Sequence, residues 1–405
     1  MSEKKFVLSF GHLPIYAGGK QSSGLANVIW KIADEINATD SSFFEILVST
    51  DIHQEETIID STLVLGWNIQ LLFKAILKYP FTFVCLIVKA LRLKINYAFP
   101  FFNSLAKMLF FNYVILNRID KISIIHIHGV NNYFLFRNII KDRKLKSVVT
   151  IHGITGWDPN IGKYLIQRKL ENLLTASKYI SNIVYITNSI YHEWVRIYGK
   201  PFAKTNIILN GVDTIKFNLP KDQKRKDNSR IHLLSIGSIS TLKGQFRVME
   251  AICKLSKNRI TKFTYSVIGN SSDNDIYKLN NIAISNHIEF KFLGYKQPDE
   301  IRTLLWASDY MILPSSTEGF GLVFLESIAC GTPVIIPKTL PLAKELGILN
   351  EINSIFIDDH TSESIRKCLE TLKHHPYSNI EVAKTVEKFS WNRIAKEYLK
   401  LFEEI

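Results

Sequence analysis

Strand-like and helix-like segments alternate from one end of this chain to the other, and the alternation restarts once in the middle. Strands separated by helices pair in parallel, with the helices covering the sheet, so the pattern predicts α/β layers. The first run has strand-like stretches at 6–10, 45–49, 122–127, 147–151 and 183–187. Leu25, Val28, Ile29, Ile32 and Ile36 recur at helical spacing between the first two. Around Asn210-Gly211-Val212-Asp213 the pattern breaks at a strong turn signal, and the polar stretch 219–230 reads as an exposed linker. A second run follows, with strands expected at 233–236, 265–268, 288–292, 310–313 and 334–336. With 405 residues, two domains are expected, 1–211 and 212–385, plus an amphipathic tail helix over 386–405.

The most informative stretch runs from Ser316 to Glu326. A buried strand at Tyr310–Leu313 should lead into a loop whose Gly319 and Gly321 let backbone N–H groups approach a ligand. A helix is expected from Gly321 to Cys330, with Leu322, Leu325 and Ala329 on its apolar stripe, and Gly331-Thr332-Pro333 ends it. Strand, glycine loop and helix start make an anion site, because free N–H groups and the helix dipole both favour phosphate. Glu318 on the loop and Glu326 in the helix do not suit a phosphate. They suit hydroxyls as hydrogen-bond acceptors, so the pattern points to a sugar nucleotide.

Other strand ends carry weaker signals. Gly18-Gly19 after the first strand allows close backbone approach, or is a plain turn. His126-Ile127-His128-Gly129 and Ile151-His152-Gly153 both end strands, where α/β sheets bind ligands. In Gly237-Ser238-Ile239-Ser240-Thr241-Leu242-Lys243-Gly244, a glycine after a strand and a lysine near the next helix start suit a diphosphate. Asp273-Asn274-Asp275 has the D-x-D spacing of metal-dependent transferases but is expected to be a solvated loop.

The paired glutamates with seven residues between them, followed by Ser327-Ile328-Ala329-Cys330-Gly331-Thr332-Pro333, resemble the donor site of the retaining glycosyltransferases of family 4. The strand–His–Gly element at His152, the hinge-like segment 185–213 and the glycine–lysine loop add to that likeness. The resemblance implies the GT-B fold: two Rossmann-like domains facing across a cleft, the C-terminal helix crossing back to the first. It implies that Glu326 binds ribose, that Glu318 binds the sugar, and that N–H groups near Gly319, Phe320 and Gly321 hold phosphate or sugar oxygens. Lys243 would stabilise the diphosphate leaving group, His152 would touch the transferred sugar, and Gly18 and Gly19 would lie near the phosphates. Family members usually carry arginine where this chain has Ser238, which brings one hydrogen bond and no charge; Arg247 is a candidate substitute. The resemblance implies no metal and no cofactor, and retention by same-face attack with no settled protein nucleophile.

Composition bears on partners. The formal net charge of +13 favours anionic ones. No nucleic-acid module is visible, so a membrane surface and a nucleotide rank first. Cys85, Cys253, Cys330 and Cys368 show no metal or disulfide spacing, which favours a reduced, cytoplasmic setting, and the first apolar run stops at Gly11-His12, short of a signal peptide. Residues 65–117 interleave aromatic and aliphatic side chains with Lys74, Lys78, Lys89, Arg92, Lys94 and Lys107, without the roughly 18 apolar residues in a row of a spanning helix. The stretch reads as a surface-lying helix, or as buried helices whose lysines face water. The expected enzyme extends a lipid-linked glycan in surface polysaccharide assembly (O-antigen or capsule), peripherally on the inner face of the cytoplasmic membrane. A non-catalytic sugar-nucleotide binder or partner subunit is the alternative, with Ser238 as its only hint.

Overall fold

In a computed structural model the described residues are 4–20, 24–81, 84, 85, 87, 88, 101–155, 165–220, 230–256, 263–345 and 348–405. The chain divides into two compact units, Met1–Asn210 with Trp391–Ile405, and Gly211–Ser390. The expected linker residues 221–229 lie outside the described residues.

The first unit is built on an eight-stranded sheet of order β3-β4-β2-β1-β5-β6-β7-β8. Its strands are β1 (Lys5–Phe10), β2 (Phe43–Val48), β3 (Glu56–Ile59), β4 (Thr62–Leu65), β5 (Ile122–His128), β6 (Ser147–Ile151), β7 (Asn182–Tyr185) and β8 (Lys204–Ile207). The central strands read as nearly continuous apolar runs because helices cover both faces of a parallel sheet. The expectation of parallel pairing fails at one edge, where β3 and β4 form an antiparallel hairpin. Asp60, at positive φ, and Ser61 make a connection too short for a helical crossover. The helices are α1 (Gly24–Ala38), α2 (Ile69–Lys78), α3 (Phe101–Arg118), α4 (Val130–Arg143), α5 (Leu165–Thr175) and α6 (Asn188–Tyr198). The chain returns for a final helix, Trp391–Glu404, which packs on α1. Trp391, Ile394, Ala395, Tyr398, Leu399, Leu401 and Phe402 are its buried face.

Among the described residues, the apolar segment 65–117 contains two different kinds of helix. In α3, Leu109, Phe110, Phe111, Val114 and Ile115 are core. In α2, only Leu71 and Ala75 are buried, while Ile69, Phe73 and Leu77 stand 65%, 61% and 82% exposed one turn apart. Lys89, Arg92 and Lys94 lie outside the described residues.

The second unit carries a six-stranded, all-parallel sheet of order β11-β10-β9-β12-β13-β14. Its strands are β9 (Ile231–Ile236), β10 (Phe263–Ile268), β11 (Glu289–Gly294), β12 (Tyr310–Ile312), β13 (Val334–Pro337) and β14 (Ser354–Ile357). Between them run α7 (Gln245–Ser256), α8 (Asp273–Ser285), α9 (Pro298–Ala307) and α10 (Leu322–Ala329). Met249, Ile252, Tyr265, Val267, Tyr310 and Ile335 belong to a core buried between the sheet and its helices.

Both sheets are wound outward from an inner strand in two directions. The order reverses between β1 and β5 in the first sheet and between β9 and β12 in the second. At such a point the loops leaving two neighbouring strands diverge and open a crevice at their carboxyl ends. Gly18-Gly19 follows β1 and His128-Gly129 ends β5; Gly237–Gly244 follows β9 and the Glu318 loop follows β12. Every strand-end motif singled out from sequence therefore lies beside a reversal point or on the neighbouring strand.

Candidate functional site

In the second unit, the loop after β9 turns at Gly237, with φ of +141°. Gly269, on the loop after β10, must also be glycine, because a Cβ there would sit 2.4 Å from the carbonyl oxygen of Gly237. Gln245 braces the turn, donating to the carbonyls of Gly237 (3.1 Å) and Ser238 (3.3 Å). Ser238 is exposed, and Lys243 lies in the turn just before α7.

The loop after β12 meets this one. The Ser316 N–H donates to the carbonyl of Leu242 at 2.8 Å. Glu318 is brought to Lys243, and the two form an ion pair. The Ser315 hydroxyl donates to the same Glu318 oxygen at 2.8 Å. Glu318 retains 12% side-chain exposure and Lys243 31%, so the lysine is the member an incoming anion can reach.

Gly321 takes φ of +85° and caps α10 without any side-chain hydrogen bond. A Cβ there would fall 2.6 Å from the Phe324 ring, so glycine serves both conformation and packing. Phe320 is buried. Gly319 is half-buried beside it. The first turn of α10 holds no acidic residue, so its positive end is uncompensated locally. The apolar face is wider than the expected stripe: Phe324 and Ile328 are fully buried along with Leu325 and Ala329, while Leu322 is only half-buried.

Glu326 stands half-buried on α10. Burial pushes its carboxyl up to about 7; the charge of Asp213 adds to this and that of Lys216 opposes it. Asp213 accepts the Lys216 N–H at 2.9 Å, which ties this pair into one turn. Sequence reading placed Asp213 in the hinge-like motif but gave no reason to set it beside Glu326, more than a hundred residues away.

In the first unit the strand ends are lined by histidines. His126 is fully buried, with Nδ1 3.2 Å from Glu45 Oε1 and Nε2 2.9 Å from Thr150 Oγ1. Ser9 also donates to Glu45. Among the described residues, Glu45, His126 and His128 are the one trio of potential metal ligands whose donor atoms lie within 4.8 Å of one another. Both nitrogens of His126 are already engaged in hydrogen bonds within the protein. His128 Nδ1 and His152 Nε2 are 3.0 Å apart, so one donates to the other. Burial and the neighbouring His126 push His152 down to about 3. His128 is lowered in the same way, chiefly by burial. Both rings are therefore neutral at pH 7, and His152 shares a hydrogen bond with His128. Glu171, which sequence reading missed, anchors the loop after His152 by accepting the Thr155 N–H (3.2 Å) and hydroxyl (2.7 Å). Gly18, at φ +77°, ends a one-turn helix, and a Cβ on Gly19 would collide with the Leu13 carbonyl oxygen at 2.1 Å. Both glycines thus have structural reasons of their own.

One feature differs from expectation. Asp273-Asn274-Asp275 is the first turn of α8, not a loop: the Ser272 hydroxyl accepts the Asp275 N–H and donates to its carboxylate. Both aspartates favour the helix start, which accounts for them without a metal. Arg247, raised as a substitute cation, directs its guanidinium at the backbone carbonyls of Thr241 and Pro314.

Residues 217–390 match the family model described as glycosyl transferases group 1, and residues 83–216 match that of glycosyltransferase family 4. An uncharacterized glycosyltransferase of Methanocaldococcus jannaschii is 26% identical over 306 residues, covering 70% of this chain and 76% of that one. Sucrose-phosphate synthase of Thermosynechococcus elongatus superposes with a TM-score of 0.72 at 13% identity, over 99% of both chains. Anabaena HepE, solved in complex with UDP and glucose, superposes with a TM-score of 0.67 at 14% identity, over 99% of this chain and 100% of that one. The structural likeness is one of fold, and it identifies the two α/β units as those of a GT-B protein.

Proposed function

Because this chain belongs to the group 1, family 4 glycosyltransferases, we propose that it transfers a sugar, with retention, from a nucleoside-diphosphate sugar to a lipid-linked glycan. The observation that carries the donor part is the meeting of Lys243 and Glu318 at the β9/β12 reversal point, with the free start of α10 beside them. A lysine there neutralises charge on the leaving diphosphate, a preorganised electrostatic effect that often dominates catalysis. Glu318 accepts hydroxyls of the sugar and Glu326 those of the ribose. His152, neutral, donates to or accepts from the sugar. The HepE complex with UDP and glucose supports a uridine donor first among those to be tried.

Thermal stabilisation by UDP-, GDP- and ADP-sugars tests the donor, since a ligand bound only by the folded state raises Tm. No stabilisation by any of them would sink it. The reaction is proposed to need no metal, the cationic and N–H groups serving the diphosphate; loss of turnover in EDTA, restored by Mg²⁺ or Mn²⁺, would refute this.

The acceptor part rests on α2. No described helix is long and apolar enough to cross a membrane. The stripe Ile69, Phe73 and Leu77, continued by Phe81 at 87% exposure, lies beside the exposed Lys74 and Lys78. An apolar face edged with lysines suits the surface of an anionic bilayer, which attracts each basic residue by about 1 kcal/mol. The reading extends to a peripheral enzyme of surface polysaccharide assembly, O-antigen or capsule, on the cytoplasmic face. Vesicles containing anionic lipid should float the protein at low salt, and Phe73→Ser with Leu77→Ser should abolish this. Protein that stays soluble, and uses a water-soluble acceptor equally well, overturns it.

A further inference from the structure

We propose that Arg247 is a positioning residue that clamps the Lys243 loop to the Glu318 loop, so that Lys243 is the side-chain cation that meets the donor diphosphate. Its Nη1 donates to the Thr241 carbonyl at 2.7 Å and its Nη2 to the Pro314 carbonyl at 2.9 Å, with a longer contact of 3.5 Å to Leu242. Thr241 and Leu242 immediately precede Lys243, and Pro314 immediately precedes Ser315, the residue that holds Glu318. One planar fork thus joins both loops at the residues leading into the ion pair. A lysine carries its donors on a single nitrogen, whereas the guanidinium directs two nitrogens at separate carbonyls in one plane. Gly244 leaves room for it: a Cβ there would lie 2.6 Å from Nη2 and 2.7 Å from the Pro314 oxygen. The Nε is buried and has no partner, so a charged side chain is held in a half-buried place where burial lowers its pKa. Keeping a cation there has a cost, and the join between the two loops is what offsets it. Arg247 therefore does not replace the charge that Ser238 lacks.

The proposal rests on the donor reading above. It predicts how nucleoside diphosphates (UDP, GDP, ADP) and monophosphates (UMP, GMP, AMP) bind, measured by calorimetry. The wild type should favour its cognate diphosphate over the monophosphate by about tenfold or more, the scale of one charge-assisted contact. Arg247→Met should bring that ratio near one, leave monophosphate affinity unchanged, and keep a cooperative thermal transition. Arg247→Lys should fail almost as badly although the charge is kept. Lys243→Met should give the same loss, and the double variant no further loss, because both act through one contact. Gly244→Ala, which crowds the guanidinium, should also lower the ratio if Arg247→Met does not fold. An additive double variant, or full rescue by lysine, would make Arg247 a phosphate cation and overturn the clamp. An unchanged ratio in Arg247→Met overturns it too. A wild type that binds no nucleotide overturns the donor reading, and the clamp with it.

Discussion

The two reversal points of this chain share a topology and differ in electrostatics. At β9/β12 a lysine–glutamate pair, an uncompensated helix start and a second carboxylate near Asp213 and Lys216 meet. At the ends of β5 and of β6 beside it, His128 and His152 are held neutral by burial and neighbouring histidines, while the carboxylate of Asp51 pairs with His12 just after β1. The winding of the sheet decides where a ligand goes, and the side chains decide what charge it carries. On the proposed function, the second unit would hold the diphosphate and the first would shape what receives the sugar. Lys243→Ala should have the largest effect, lowering kcat by about a hundredfold, the scale for removing one preorganised charge donor. Near-normal kcat in that variant would break the comparison, since the charged side would then not carry the charge.

His152→Ala sharpens it from the other side. Turnover should fall by about fivefold to thirtyfold, the worth of one or two kcal/mol of hydrogen bonding. Nucleoside diphosphate affinity should stay within about twofold, because the diphosphate is assigned to the other unit. Coupled loss of both would mean that the first unit also binds phosphate.

Glu326 makes the comparison pH-dependent. Its carboxyl titrates at about 7 in the folded protein, so lowering pH from 8 to 6 should weaken donor binding about tenfold if the ionised form accepts the ribose. Glu326→Gln should bind weakly with a flat profile. The sign for stability is opposite. A carboxyl raised on folding costs stability as pH rises from its unfolded value toward 7, so Glu326→Gln should raise the Tm of the empty protein at pH 8. A wild-type binding profile that is flat across 6 to 8 would remove Glu326 from the ribose. The smallest effect is expected from Ser238→Arg. This exposed position would regain the usual cation, and diphosphate affinity should rise about threefold, the modest scale of a solvent-exposed pair.

Length and burial together decided which strands were legible: the half-exposed six-residue β11 was read, and the mostly buried four-residue β4 was not. β1, β5, β6, β9, β10, β12 and β13 are runs of apolar, often β-branched residues because both faces are covered. β3, β4, β8 and β14 escaped sequence reading. Each has four residues, and β3 and β8 are half-exposed edge strands whose existence depends on a neighbour. The α8 start was legible and missed: Ser272 three residues before Asp275 is a helix-capping signature. The apolar content of 65–117 did not separate a core helix from an exposed one. Both have helical spacing, and only packing tells which face of α2 remains uncovered.

By itself the sequence determined the two α/β units, the glycines where backbone must turn, and the order of loop and helix at Glu318 and Glu326. These are local: periodicity, chain stiffness and the missing Cβ set them within a few residues. Only the tertiary structure decided that Lys243 lies against Glu318, 75 residues away, and that Arg247 ties Thr241 to Pro314. It also decided that Glu326 titrates near neutrality and that His152 stays uncharged. Charge interactions and burial act through space, and the distances that set them arise only when the sheet brings remote loops to one edge.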